Sequence, residues 1–321
     1  MNVLVTGGAG YIGSATVLEL SSRGHRVVSL DNLSLGDYTP LHRRAEEYGY
    51  VLKVGDIRNT ADLEEALKEC EAEAVIHLAA MSGIPSCNEK PEEAVSTNVY
   101  GTYNVLEASR KLDADRIVFT STAAVYGTPR RVPVSEDCEL RPLSLYGVTK
   151  LASEALMNAF HDVYGMETVI LRLGNVYGVG PRVREDSVMP IFVSKALRGE
   201  ALTIYGDGSQ MRDFVHLMDV VDVLETCMKA EASRVSGEVF NVGCEALTIS
   251  DLADMVLDEV EKAVGVRASV VHAGERAGEV KVFYYSNDKV RRVLGFNPKR
   301  RVIDGVRELI EYYLKRGVGG A

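Results

Sequence analysis

Tyr146 and Lys150 stand four apart in Tyr146-Gly147-Val148-Thr149-Lys150, near the start of a helix-length segment. On a helix that spacing puts both side chains on one face. A free phenol titrates near pH ~10, too high for a base at neutral pH. A neighbouring ammonium can lower it by roughly 1–3 units. A hydroxyl-rich turn, Ser121-Thr122-Ala123-Ala124-Val125-Tyr126-Gly127, follows the apolar run 116–120. A tyrosine so placed beside a lysine could serve as a base near neutral pH.

A second cluster sits at the start of the chain. The run 3–6 leads into Gly7-Gly8-Ala9-Gly10-Tyr11-Ile12-Gly13 and then a helical pattern, with two glycine fingerprints nested over Gly7, Gly8, Gly10 and Gly13. Glycines there permit a tight turn and let the backbone approach a pyrophosphate, which the helix amino terminus attracts. A glycine triplet alone is weak, but strand before and helix after is the context a dinucleotide needs. Asp31 ends the next apolar run, eighteen positions beyond Gly13. A carboxylate there accepts from the adenosine ribose and repels a 2′-phosphate, favouring NAD over NADP. Asp56-Ile57 after the third run caps a turn or touches adenine.

Both clusters need a scaffold that brings turns together. Short apolar runs at 3–6, 26–30, 50–54, 74–78, 116–120 and 168–173 alternate with helix-length segments at 12–23, 60–70, 91–111 and 145–164. Near-continuous apolar strands alternating with helices predict a parallel sheet covered on both faces, a doubly wound α/β (Rossmann) fold. After about residue 174 the elements shorten. The expected division is an NAD-binding domain over 1–173, rejoined by parts of 214–257, with 174–321 mainly a smaller α/β substrate-binding domain.

Composition narrows the function classes. The 321 residues are 46% hydrophobic and 26% charged, with a net charge of −10; that acidity argues against a nucleic-acid binder. Five scattered cysteines carry no zinc or disulfide spacing, and no metal site is expected. No apolar run reaches the ~18–20 residues of a membrane span. The first residues lack a secretory pattern, so a cytoplasmic location is expected.

The chain resembles the extended short-chain dehydrogenase/reductase family, and within it the nucleotide-sugar 4-epimerases. The resemblance runs through Thr6–Gly13, Asp31-Asn32, Asp56-Ile57, His77-Leu78-Ala79-Ala80, Asn98, the 121–127 turn, Tyr146–Lys150, 172–175, Arg212-Asp213 and 276–279. It implies a catalytic set of Tyr146 as base and acid, Lys150 on the nicotinamide ribose and tuning Tyr146, and Thr122 on the sugar 4-hydroxyl. It implies a cofactor cleft of Gly7, Gly10, Tyr11, Ile12, Gly13, Asp31, Asn32, Asp56, Ile57, Leu78, Ala79, Ala80, Asn98 and Ser121. Asn175, Arg212, Arg276 and Glu279 would hold the nucleotide sugar, the arginines at its diphosphate. His77 reads as a packed strand residue.

The reaction so implied is epimerisation of a UDP-sugar, UDP-glucose with UDP-galactose, at C4 through a 4-keto sugar with NAD regenerated each cycle. A homodimer through 100–112 and 145–164 is implied by analogy. Relatives that eliminate water or carbon dioxide carry a carboxylate in the hydroxyl turn, where this chain has Ala123 and Ala124. A non-catalytic NAD-sensing protein would have lost Thr122, Tyr146 or Lys150. Phe283 aligns with a position bordering the pocket for the sugar's C2 substituent, or else is core beside Tyr284 and Tyr285.

Overall fold

The structure, a computed structural model, describes residues 1–34, 44–45, 47–275 and 280–318. Seven strands form one parallel sheet: β1 (Asn2–Thr6), β2 (Arg26–Asp31), β3 (Val51–Val54), β4 (Ala74–His77), β5 (Arg116–Thr122), β6 (Glu167–Leu173) and, arriving late in the chain, β10 (Glu238–Val242). Their order is β10-β6-β5-β4-β1-β2-β3. Apolar residues on successive positions, such as Val3-Leu4-Val5 and Val169-Ile170-Leu171, are all fully buried, because both faces carry helices.

Helix α1 (Tyr11–Ser22) covers one face with α6 (Leu217–Lys229), around Val17, Leu20, Val220 and Leu224. Helices α2 (Thr60–Cys70), α3 (Gly101–Lys111) and α4 (Leu145–Tyr164) cover the other, around Leu63, Leu106 and Met157. A second core gathers α5 (Val188–Leu197), α7 (Ile249–Val264) and α8 (Val302–Lys315) around Phe192, Val256 and Leu309. It packs with short strands: β7 (Asn175–Tyr177), β9 (Met211–His216) and β11 (Glu245–Thr248) in one sheet, β8 (Leu202–Tyr205) and β12 (Val270–Ala273) in another.

The register aligns the carboxyl ends of the central strands: Thr6 pairs with Leu30 and His77, His77 with Phe119, and Thr122 with Leu173. Strand order reverses between β1 and β4, and the crevice outside such a switch point is where doubly wound sheets take ligands. One element departs from the expected 91–111 helix. Pro91–Val95 passes through a π-helical turn at Ser96–Tyr100 before α3 begins. The wider turn leaves the Asn98 carbonyl to accept from Thr102 and Ser153 hydroxyls, at 2.5 and 2.8 Å. Among the described residues no helix is long and apolar enough to cross a membrane.

Candidate functional site

The glycine turn joins β1 to α1 directly beneath the switch point. Gly7 has φ +73°, and a Cβ there would lie 2.6 Å from the Ala79 amide nitrogen. A Cβ on Gly13 would collide with the Gly7 carbonyl. Only glycine satisfies both positions. Gly10 is the N-cap of α1, and among the described residues no side chain caps that end, so its first amides are available to an anion. Asp31, half-buried at the end of β2, accepts from the amides of Ala9 (3.0 Å) and Leu33 (2.8 Å). Burial raises its pKa above the usual carboxylate value, and those two amides oppose the rise. Lone pairs left over can accept from ribose hydroxyls. The cradle fits a dinucleotide.

Asn32 donates to Asp56 at 3.0 Å, and Asp56 also takes a forked pair from Arg58, at 2.9 and 2.6 Å. The Arg58 hydrogen bond holds the Asp56 pKa down at about 2. Ile57 is core, with its side chain filling the space beside Gly101. Leu78, Ala79 and Ala80 follow β4 and are half-buried. Asn98 is buried and largely committed to protein: it accepts from the Met81 amide (2.8 Å) and donates to the Met81 carbonyl (3.1 Å) and Thr149 (2.9 Å). It thereby fastens the loop after β4 to α4. Tyr11 reaches across to donate to the Gly178 carbonyl at 2.8 Å, and Ile12 packs into the core.

Ser144 caps α4, accepting from the Gly147 amide at 3.1 Å, so Tyr146 and Lys150 sit in the first turns of that helix. Thr122 ends β5 and caps the following turn through the Ala124 amide (3.2 Å). Tyr146 is half-buried and its phenol is pushed up by burial. The field of Arg184 and a hydrogen bond from the Thr122 side chain pull it back. The four-residue spacing pointed to Lys150 as that cation. Instead the Lys150 ammonium turns inward, 4.0 Å over the ring of Phe119. Lys150 is 3% exposed, and burial brings its pKa down to about 7 against the opposing field of Glu154.

Behind these groups lies a polar network built from Ser121, Tyr126 and Arg172, which stand within the sequence motifs, and from Glu154 and Asn241, which do not. Glu154, one turn beyond Lys150, accepts from Ser121 (2.5 Å) and pairs with Arg172 at 2.7 Å. Their side chains are 2% and 4% exposed. Arg172 goes on to Tyr126 (2.7 Å), whose hydroxyl donates to Asn241 (2.7 Å) on β10. The i,i+4 step from Lys150 to Glu154 was the available signal. Arg184 was also missed. It lies in the 178–187 loop after β7, with Nη2 3.3 Å from where a Gly83 Cβ would stand, and among the described residues its ion pair is with Asp186.

The substrate-side candidates are more dispersed. Asn175 is exposed at the start of β7 and donates to the Asp213 carbonyl (3.1 Å). Arg212 on β9 donates to the Met211 and Val280 carbonyls, at 2.9 and 2.7 Å. Phe283 is 5% exposed, edge-on to Tyr285 at 5.0 Å and packed with Val125, Tyr126 and Val134. Arg276 and Glu279 lie outside the described residues. Among the described residues no cluster of three His, Cys, Asp or Glu could hold a metal.

Residues 3–243 match the NAD dependent epimerase/dehydratase family. A putative UDP-glucose 4-epimerase of Methanocaldococcus jannaschii is 35% identical over 313 residues, covering 97% of each chain. The UDP-glucose 4-epimerase of Thermotoga maritima, solved with UDP-glucose, superposes with TM-score 0.88 at 31% identity, over 98% of this chain and 99% of that one. A UDP-glucuronic acid 4-epimerase of Bacillus cereus, solved with UDP-glucuronic acid and NAD, gives 0.87 at 31% identity, over 98% and 100%.

Proposed function

The chain belongs to the NAD-dependent epimerase/dehydratase family, and from that footing we propose that it inverts C4 of a UDP-hexose, interconverting UDP-glucose and UDP-galactose. The observation that carries this reading is that α4 packs on the turn after Thr122, where a Cβ on Gly147 would lie 2.6 Å from the Ala124 carbonyl, and that Ala123 and Ala124 in that turn offer no acid or base. Removal of water or carbon dioxide from an oxidised sugar needs such a group; return of the hydride does not.

NAD, when bound, supplies the hydride acceptor and later the donor at C4. Thr122 orients the 4-hydroxyl, and Tyr146 takes its proton and gives it back to the same oxygen once the keto sugar has turned its other face toward the cofactor. Lys150 holds the nicotinamide ribose with its ammonium. Gly7, Gly10, Gly13 and Asp31 hold the dinucleotide. Asn175, Arg212, Arg276 and Glu279 grip the nucleotide end, so binding remote from the reacting carbon leaves the sugar free to turn. Residues 1–173, rejoined from within 214–257, carry the cofactor and the remainder mainly the sugar. Exposed Tyr100, Tyr103, Val163 and Tyr164 on the α3–α4 face suit a homodimer.

A second reading of the sugar is favoured by Arg184. Its positive field falls on Tyr146, beside the reacting carbon of a bound hexose, where it would suit a C6 carboxylate such as that of UDP-glucuronic acid. One experiment separates the readings. The purified protein is incubated with UDP-galactose, UDP-glucuronic acid, UDP-N-acetylgalactosamine and dTDP-glucose, and the products are resolved by chromatography. UDP-glucose from UDP-galactose as the fastest conversion supports the first reading, and a faster UDP-galacturonic acid product supports the second. Because the Phe283 ring fills its site, the acetylated sugar is expected to be the poorer C4 substrate. A 4-keto-6-deoxy product from dTDP-glucose overturns the epimerase reading.

A further inference from the structure

Lys150 is a buried cation and, among the described residues, has no carboxylate in contact. The side chains facing it are Glu154 on its own helix, Cys87 on the short helix Ile84–Glu89, His77 on β4 and Phe119 on β5. Glu154 is spent on Arg172 and Ser121. Cys87 is fully buried, its thiol pushed up by burial, and it donates to the Met81 carbonyl at 3.4 Å. His77 is kept neutral by burial and by the Lys150 charge itself. What the ammonium does meet is the face of Phe119, at 4.0 Å from the ring centroid. Phe119 is held flat by His77, stacked on it at 5.5 Å with 30° between planes, and by the strand pairing of β4 with β5.

We infer that Phe119 is a positioning residue whose ring face holds the Lys150 ammonium beneath the cofactor cleft, rested on the role given to Lys150 above. An aromatic face attracts a cation through its quadrupole. A carboxylate in the same place would neutralise the charge and compete for its donors. The ring compensates part of the desolvation while leaving all three N–H donors of the ammonium for the ribose above. It also fixes the direction of a four-carbon chain that would otherwise sample several rotamers.

The test replaces Phe119 by phenylalanines bearing one, two and three ring fluorines, which drain the ring face with little change of volume, and adds Phe119→Leu. In the NAD-loaded enzyme, Lys150 is followed by NMR of ¹³C-labelled lysine, assigned with Lys150→Met, alongside the pH profile of kcat/KM for the substrate the panel identifies. The Lys150 titration should move to lower pH in step with fluorine count, reaching about 0.5–1.5 units in Phe119→Leu. The alkaline limb of the profile should move with it. A titration that stays fixed across the fluorinated series overturns the proposal, whatever Phe119→Leu does to folding. A titration that shifts while Lys150→Met keeps its turnover supports the hold of Phe119 on Lys150 and overturns the catalytic role of Lys150 instead.

Discussion

Replacing Glu154 by leucine should destabilise the protein more than almost any other single change. The carboxylate is 2% exposed, pairs with Arg172 at 2.7 Å and accepts from Ser121 at 2.5 Å. Removing it strands the Arg172 guanidinium, itself 4% exposed, with the Tyr126 hydroxyl and the Glu136 carbonyl as its remaining acceptors. Breaking one side of a buried pair costs about 3–5 kcal/mol, because the partner charge stays buried and uncompensated. For a chain of this size that corresponds to a fall in Tm of about 4–7 °C. Arg172→Met on the same background removes the stranded charge and should restore at least half of the loss. Scanning calorimetry of the two single variants, the double variant and the wild type, all loaded with NAD, gives the coupling. A single-variant loss below about 1 kcal/mol, or a double variant no better than the sum of the singles, would refute the reasoning, since both need the charges to be screened by water.

Tyr146→Phe should keep bound NAD and lose about 10²–10⁴-fold in kcat, with Thr122→Ala falling less because the base remains; stopped assays with spectroscopic cofactor quantification check both. Asp31→Asn should raise the NAD dissociation constant about 10–100-fold and narrow the preference over NADP, as a hydrogen bond to a charged acceptor is worth about 1.5–3 kcal/mol; titration of apoprotein with each cofactor decides, and equal wild-type affinities sink the assignment. Burial depresses the His77 pKa to about 3 from the usual 6.5, so below pH 6.5 the unfolded chain binds the extra proton. That contribution to stability is complete above pH 6.5 and is lost as pH falls toward 3. Between pH 7 and 5 His77→Gln should remove about 2 kcal/mol of the acid-side slope in urea unfolding, and an unchanged slope would contradict the burial argument.

Much of the frame was legible because the strands are apolar on both faces. The runs 3–6, 26–30 and 168–173 end within one residue of β1, β2 and β6, since a parallel strand covered on both faces reads as a near-continuous apolar run. The glycine turn was legible for a steric reason, as Gly7 and Gly13 leave no room for a Cβ. The short strands β8 and β12 were not read: four residues each, half of them exposed or nearly so, they carry no periodicity. The π-helical turn at Ser96–Tyr100 escaped because no local pattern marks it, although the Asn98 carbonyl it frees takes a long-range hydroxyl from Ser153 as well as that of Thr102. Spacing puts Tyr146 and Lys150 one turn apart on α4, yet could not say that Lys150 turns under toward Phe119 or that Arg184 arrives from a loop nearly forty residues on. Which cation reaches a phenol is decided by chain crossings that no local pattern records.

The central claim is that hydride leaves C4 and returns to it through a cofactor held in the same cleft. UDP-galactose carrying deuterium at C4 is converted in ordinary water without added NAD, and the product is analysed by mass spectrometry and NMR. UDP-glucose with the deuterium retained at C4 is the predicted result, and Tyr146→Phe should produce almost none of it. Product in which the label has washed out to solvent, or product formed at an undiminished rate by Tyr146→Phe, would contradict the account.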